Sequence, residues 1–123
     1  MFTNTEAFSG FAVDDLEAAK KFYGETLGLR TSEQYGLLTL HLAGDRDTLV
    51  YPKPGHEPAT YTILNFRVDD IDAAVDELSA RGVTFERYDG LAQDSKGISR
   101  GYGPDIAWFR DPAGNILSVL QES

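Results

Sequence analysis

The 123-residue sequence predicts an α+β fold built from two tandem β-α-β-β-β modules. The first observation behind this prediction is an internal repeat, because residues 11–19 and 66–74 are identical at six of nine positions. The second observation is the pattern around the repeat. In both copies an alternating, strand-like run leads into the repeat, and several short strand-like runs follow it.

The repeat also predicts how the chain is organised. We expect a single domain over residues 1–123, with module 1 at about 5–53 and module 2 at about 60–123. Prolines cluster between the two copies, and this indicates a linker at residues 54–59.

In each module the repeat marks the start of a helix. Asp14 or Asp15, and likewise Asp69, precede apolar residues at helical spacing, as N-cap residues do. Gly28 and Gly82 stand where a helix-ending glycine belongs. The predicted strands are residues 7–13, 29–35, 37–42 and 48–51 in module 1, and 61–68, 83–88, 106–110 and 116–121 in module 2.

One helix can cover only one face of a four-stranded sheet. We therefore expect the uncovered faces to form an eight-stranded cup around the partner module, a ligand, or both. Strand alternation assigns side chains to this face. The assigned residues with functional potential are Phe8, Thr39, His41, Ile63, Asn65, Arg67 and Ser118, with Trp108 left undecided between the two faces.

Composition excludes several function classes. The net charge of −9 disfavours nucleic acids and anionic membranes as partners, because both would be repelled. The sequence has no cysteine, and this excludes disulfides, thiolate metal sites and a cysteine nucleophile. With no signal-peptide pattern near Met1, we expect a cytoplasmic protein.

These features resemble the vicinal oxygen chelate superfamily, which includes glyoxalase I, extradiol dioxygenases, and fosfomycin and bleomycin resistance proteins. The resemblance covers nearly the whole chain and implies the paired-module fold. It does not imply one activity, because the superfamily contains both enzymes and binders. The segments that carry it are Val13-Asp14-Asp15-Leu16, Phe22-Tyr23, Leu27-Gly28-Leu29 and Trp108-Phe109-Arg110-Asp111-Pro112-Ala113-Gly114-Asn115-Ile116-Leu117.

The resemblance also implies where a metal ion would bind. In metal-using members, His, Gln or Glu ligands come from the first and last strands of each module. The matching positions here are Phe8, Ile63, Ser118 and either Val50 or Tyr51, none of which is a good metal ligand. We therefore expect the family's metal site to be absent and no cofactor to be bound.

The expected ligand site is mostly apolar with a few polar groups, as small-molecule sites usually are. Arg67 could instead pair with an acidic neighbour, and Phe8 and Trp108 could simply pack in the core. The long segment 89–104 has the character of a binding loop or a mobile one. The predicted ligand contacts are Phe8, Asn65, Arg67, Trp108 and Ser118, with Arg100 and Tyr102 from the loop.

Three functions fit the sequence. The first is a metal-free, homodimeric protein that binds a small organic molecule. The second is a metal-dependent lyase or dioxygenase of the superfamily with relocated ligands such as His41 and Glu33. The third is a metal-free enzyme that uses His41 as a general base.

Overall fold

The computed structural model describes residues 1–122, which form two compact units, the first comprising Met1–Glu57 and the second beginning at Pro58. Each unit has an α+β structure in which a helix follows the first strand. The α+β prediction is therefore confirmed. In the described residues, no helix is long and apolar enough to cross a membrane.

The first unit contains a four-stranded sheet with the strand order β1-β4-β3-β2, in which β1 runs parallel to β4. Its helix α1 continues directly into a short π-helical turn. The elements are β1 (Ser9–Val13), α1 (Leu16–Lys21), the π-helical turn (Phe22–Thr26), β2 (Arg30–Gln34), β3 (Leu37–Leu42) and β4 (Arg46–Pro52).

Helix α1 begins where the repeat predicted. The Asp15 carboxylate accepts a hydrogen bond from the Ala18 backbone N–H at 3.1 Å, as an N-cap residue does. The core of this unit lies between the helix and one face of the sheet. Its fully or almost fully buried members are Val13, Ala19, Tyr23, Leu38, Leu40 and Val50.

The second unit repeats the arrangement with three strands in the order β5-β7-β6, in which β5 runs parallel to β7. The N-cap of its helix is Asp70, one residue after the predicted Asp69, and it accepts from the Ala73 backbone N–H at 3.1 Å. The elements are β5 (Thr62–Arg67), α2 (Ile71–Ala80), β6 (Asp105–Arg110) and β7 (Ile116–Gln121). The core residues are Ile71, Val75, Ala107, Phe109, Leu117 and Val119.

The predicted strand at residues 83–88 is the main difference from expectation. It is reduced to an isolated bridge between Phe85 and Phe109 and one hydrogen bond from the Glu86 N–H to the Trp108 carbonyl at 2.8 Å. Two sets of contacts prevent a longer pairing. Ile106 on β6, which would pair with Tyr88, exchanges both backbone hydrogen bonds with Ser99, at 2.8 and 3.1 Å. The side chain of Gln93 takes backbone groups on the other side. Its amide oxygen accepts from the Tyr88 backbone N–H at 2.9 Å, and its nitrogen donates to the Glu86 carbonyl at 2.9 Å. Backbone groups that a longer strand pairing could have used are thus bonded to a side chain.

Candidate functional site

The face of the second sheet that α2 leaves uncovered carries most of the predicted ligand contacts. Asn65 on β5 lies opposite Ser118 on β7, and Ser118 lies opposite Trp108 on β6. Directly opposed residues point to the same side of a sheet, so these three side chains share one face. Pairing therefore decides the orientation of Trp108, which strand alternation alone had left open. We call this surface the open face of the second sheet.

The polar centre of the open face is a pair of side chains. The Ser118 hydroxyl donates to the Asn65 amide oxygen at 2.5 Å. Ser118 is fully buried, whereas Asn65 is exposed. Because its oxygen is held by Ser118, Asn65 has its NH₂ group left to donate outward.

An aromatic pair lies beside this polar centre. The rings of Tyr88 and Trp108 pack edge to face, with centroids 5.5 Å apart and planes at 78°. Burial raises the pKa of Tyr88, and nearby Glu86 raises it further. Tyr88 was missed by sequence reasoning because its position depends on the Gln93 hydrogen bond, which no local pattern reveals.

Arg67 extends the open face along β5, and it is ion-paired. Its Nε donates to Glu122 at 2.6 Å, and the two side chains are 75% and 55% exposed. The structure thus shows the acidic neighbour that the sequence left as an alternative. An exposed pair of this kind contributes only about 0–1 kcal/mol, so an incoming carboxylate or phosphate could displace Glu122 at small cost.

Arg100 does not join this face. It donates to Asp72 at 2.9 Å, to Asp94 at 3.3 Å and to Asp105 at 3.1 Å. Asp72 belongs to α2, so Arg100 fastens its loop to the helix-covered side of the sheet. Tyr102, two residues further on, is 79% exposed.

The Arg100 cluster predicts an acid-sensitive stability. A hydrogen bond from Arg100 lowers the pKa of Asp72. For Asp94, burial raises the pKa, but backbone N–H groups of Ile98 and Lys96, together with Arg100, outweigh burial and lower it. Below the ordinary carboxyl pKa of about 3.9, the unfolded chain binds more protons than the folded one. The stabilisation is therefore complete above that pH and is lost as pH falls through the depressed values.

Replacing Arg100 with glutamine should reduce this pH dependence. We expect urea unfolding of Arg100→Gln to show a smaller loss of stability between pH 5 and about pH 3 than the unsubstituted protein shows. Arg81→Gln, which removes the exposed Arg81–Glu77 pair but leaves Asp72 and Asp94 untouched, is the matched control. Parallel pH profiles for Arg100→Gln and the unsubstituted protein would contradict the assignment.

Two of the predicted site residues, Phe8 and His41, lie in the first unit, and their surroundings differ from each other. Phe8 immediately precedes β1 and is 71% exposed. His41 lies on the face of its sheet opposite Leu38 and Leu40, as predicted. Its Nε2 is 2.8 Å from the Ser32 hydroxyl, and its Nδ1 is 3.0 Å from an Asp47 carboxylate oxygen.

The two donors considered for a relocated metal site do not come together. Glu33 is adjacent to Ser32 along β2 and so points to the opposite side of the sheet, where it pairs with Lys20 of α1 at 3.1 Å. That hydrogen bond raises the pKa of Lys20. His41 lies on the other face. Among residues 1–122 no group of three or more His, Cys, Asp or Glu side chains could hold a metal ion.

The positions that match the family's metal ligands do not fit a metal either. Ser118 is bonded to Asn65, and Val50 is fully buried on the helix-covered face of its sheet. Phe8 and Ile63 have no donor atoms in their side chains.

A family model settles the relationship. The model for the Glyoxalase/Bleomycin resistance protein/Dioxygenase superfamily matches residues 7–119. The chain belongs to this superfamily. No curated protein sequence matches it.

Solved structures of other superfamily members have the same fold. The antibiotic-binding protein TnmS3 from Streptomyces sp. CB03234 is 26% identical, with a TM-score of 0.71 over 98% of this chain and 99% of that chain. A glyoxalase/bleomycin resistance protein from the same Streptomyces is 27% identical, with a TM-score of 0.63 over 94% and 100%. A glyoxalase family protein from Bacillus anthracis is 19% identical, has a TM-score of 0.72 over the whole of both chains, and supports the fold alone.

Proposed function

We propose that this superfamily member binds a small organic molecule on the open face of its second sheet, without a metal ion. The observation that carries the proposal is the pairing of an aromatic corner, Tyr88 and Trp108, with the polar pair Asn65 and Ser118 on one face. Aromatic walls with a few fixed polar groups are what small-molecule sites usually offer. Similarity to an antibiotic-binding protein supports the same function.

Each part of the face has a separate task in this proposal. Trp108 and Tyr88 present ring surfaces to a flat or apolar portion of the ligand. Asn65 donates from its amide, and Ser118 fixes the orientation of that amide. Arg67 exchanges Glu122 for an acidic group of the ligand.

The remaining predicted contacts stay predictions outside this face. Phe8 is exposed in the first unit, Arg100 is bound to the helix-covered side of the second sheet, and Tyr102 is exposed in the same loop as Arg100. We also propose that the protein is a homodimer and that it is cytoplasmic.

Native mass spectrometry of untagged protein purified without chelator tests the metal-free state and the dimer together. We expect a dimer mass with no added divalent ion. A stoichiometric metal ion on each chain would contradict the metal-free proposal, and a monomer would contradict the dimer.

The contact residues can be tested by fluorescence because Trp108 is the only tryptophan in the sequence. Titration with a panel of aromatic antibiotics should change its emission for at least one compound. Calorimetric affinity for that compound should fall about 10-fold or more in Trp108→Ala, since buried aromatic contacts dominate binding energy. Arg67→Ala should weaken only acidic members of the panel.

Tyr35→Asn is the matched control for the aromatic substitution. Tyr35 is an equally prominent aromatic residue, 91% exposed, in a turn of the first unit. Its φ of 57° is one that asparagine accepts readily. Unchanged affinity in Trp108→Ala and Arg67→Ala would remove the open face from the proposal, and equal losses in Tyr35→Asn would point to non-specific binding.

A further inference from the structure

The helix-free face of the first sheet carries a second group of reactive side chains, distributed over three adjacent strands. Ser32 lies on β2, His41 on β3 and Asp47 on β4. His41 is directly opposite Asp47, and Ser32 is diagonal to His41 because its own cross-strand partner is Thr39. All three side chains therefore point to the same face.

The hydrogen bonds between them have a defined direction. A carboxylate only accepts, so His41 donates its Nδ1–H to Asp47 across 3.0 Å. In the neutral imidazole the proton is then on Nδ1, and Nε2 has a free lone pair. Nε2 consequently accepts from the Ser32 hydroxyl across 2.8 Å. Asp47 thus sets the tautomer that makes His41 a base toward Ser32.

We propose that Ser32, His41 and Asp47 form a nucleophilic triad that hydrolyses small carboxylic esters with good leaving groups. The order of contacts, hydroxyl to Nε2 and Nδ1 to carboxylate, is the one that activates a serine hydroxyl. This inference concerns the first unit and does not rest on the ligand site proposed on the second.

The array is accessible to a substrate. Ser32 is exposed, and the side chains of His41 and Asp47 are 33% and 54% exposed. In the sheet described for residues 1–57, β2 is the outermost strand, so its outward-facing N–H groups are not paired with β3. Such N–H groups are the kind of donor that stabilises a developing oxyanion. Arg30, opposite His41 on β2, places a positive charge on the same face.

The proposed reaction balances in two steps. The Ser32 oxygen forms a bond to the acyl carbon while its proton passes to His41 Nε2. The bond to the leaving oxygen then breaks, and that oxygen takes the proton. In the second step water attacks the acyl-serine, again through Nε2, and Ser32 leaves with the proton. Ester and water give acid and alcohol, with no oxidant or metal required.

The experiment uses p-nitrophenyl acetate and the full-length protein. We expect a burst of p-nitrophenolate equal to the chain concentration, with one acetyl group located on Ser32 by peptide mass spectrometry. Ser32→Ala should abolish the burst, and His41→Ala should slow acylation by about 100-fold or more. Circular dichroism checks that each variant folds.

Asp47 acts through His41 and is a positioning residue, so its test needs a conservative variant. Asp47→Asn should slow acylation strongly, because an amide can favour the wrong imidazole tautomer. Asp47→Glu should restore part of the rate. Asp45→Asn and Ser79→Ala are the controls. Asp45 lies in the neighbouring turn at a φ of 57° that asparagine accepts, and Ser79 is an exposed serine on α2.

Two results would overturn the triad. One is acetylation on lysines with a rate unchanged in Ser32→Ala. The other is a double negative result: no burst with p-nitrophenyl acetate, and no label on Ser32 after treatment with an organophosphorus fluoride, a more reactive probe.

Discussion

Replacing Phe109 with alanine should destabilise the second unit by about 3–5 kcal/mol, the cost typical of deleting a large aromatic side chain from a packed core. Phe109 is fully buried on β6. Its ring packs against Phe85, with centroids 5.7 Å apart. It is also opposite Leu117 on the central strand β7, and its backbone pairs with Phe85. Removing the ring therefore leaves a cavity at the point where residues 83–88 are attached to the sheet.

Urea denaturation would measure this loss, and Trp108→Ala supplies a control on the same strand. Trp108 is the adjacent residue, but it faces the open side and is only partly buried. We expect its truncation to cost distinctly less. Hydrogen exchange should show the largest loss of protection in α2 and β7 of Phe109→Ala. A cost below about 1 kcal/mol would mean that this core can collapse around the gap.

The repeat made the helices and most strands predictable. The aspartates that cap α1 and α2 are local signals, and each capping hydrogen bond spans only three residues. Strand alternation likewise predicted that Leu38 and Leu40 would face the helix, because a period of two assigns every second residue to the core.

What the sequence could not predict depends on pairing between distant residues. The strand predicted at residues 83–88 has suitable composition, but Ser99 pairs with its backbone partner Ile106 on β6, and Gln93 bonds the backbone of Tyr88 itself. The orientation of Trp108 required its pairing with Ser118. His41 was identified as a candidate from its face, yet Ser32 and Asp47 were not, because they reach it from two other strands.

The turn 111–115 provides the second large effect, because one buried carboxylate accepts three of its hydrogen bonds. Asp111 is 5% exposed. One oxygen accepts from the backbone N–H of Ala113 at 3.0 Å and of Asn115 at 2.9 Å. The other accepts from the Asn115 side-chain amide at 3.0 Å. Gly114 completes the turn with a φ of 88°, which residues with a Cβ rarely adopt.

Replacing Asp111 with alanine should lower the free energy of unfolding by about 3 kcal/mol, because it leaves buried donors without an acceptor. Asp111→Asn keeps one acceptor oxygen, so its free energy of unfolding should lie between those of Asp111→Ala and the unsubstituted protein. Asp76→Ala removes an exposed α2 carboxylate that pairs with Lys96, and it should cost no more than about 1 kcal/mol. Denaturant midpoints of the three variants would establish the order.

The Asp111→Ala substitution also tests whether this turn matters for the proposed function. The turn joins β6 to β7 and so fixes the register in which Trp108 faces Ser118. We therefore expect Asp111→Ala to weaken ligand binding under conditions where the protein is still folded, although Asp111 is not itself one of the proposed contact residues. If Asp111→Ala kept full affinity while losing about 3 kcal/mol of stability, the turn would stabilise the unit without positioning the site. Full stability in Asp111→Ala would show that solvent or neighbouring groups satisfy the turn's donors when the carboxylate is gone.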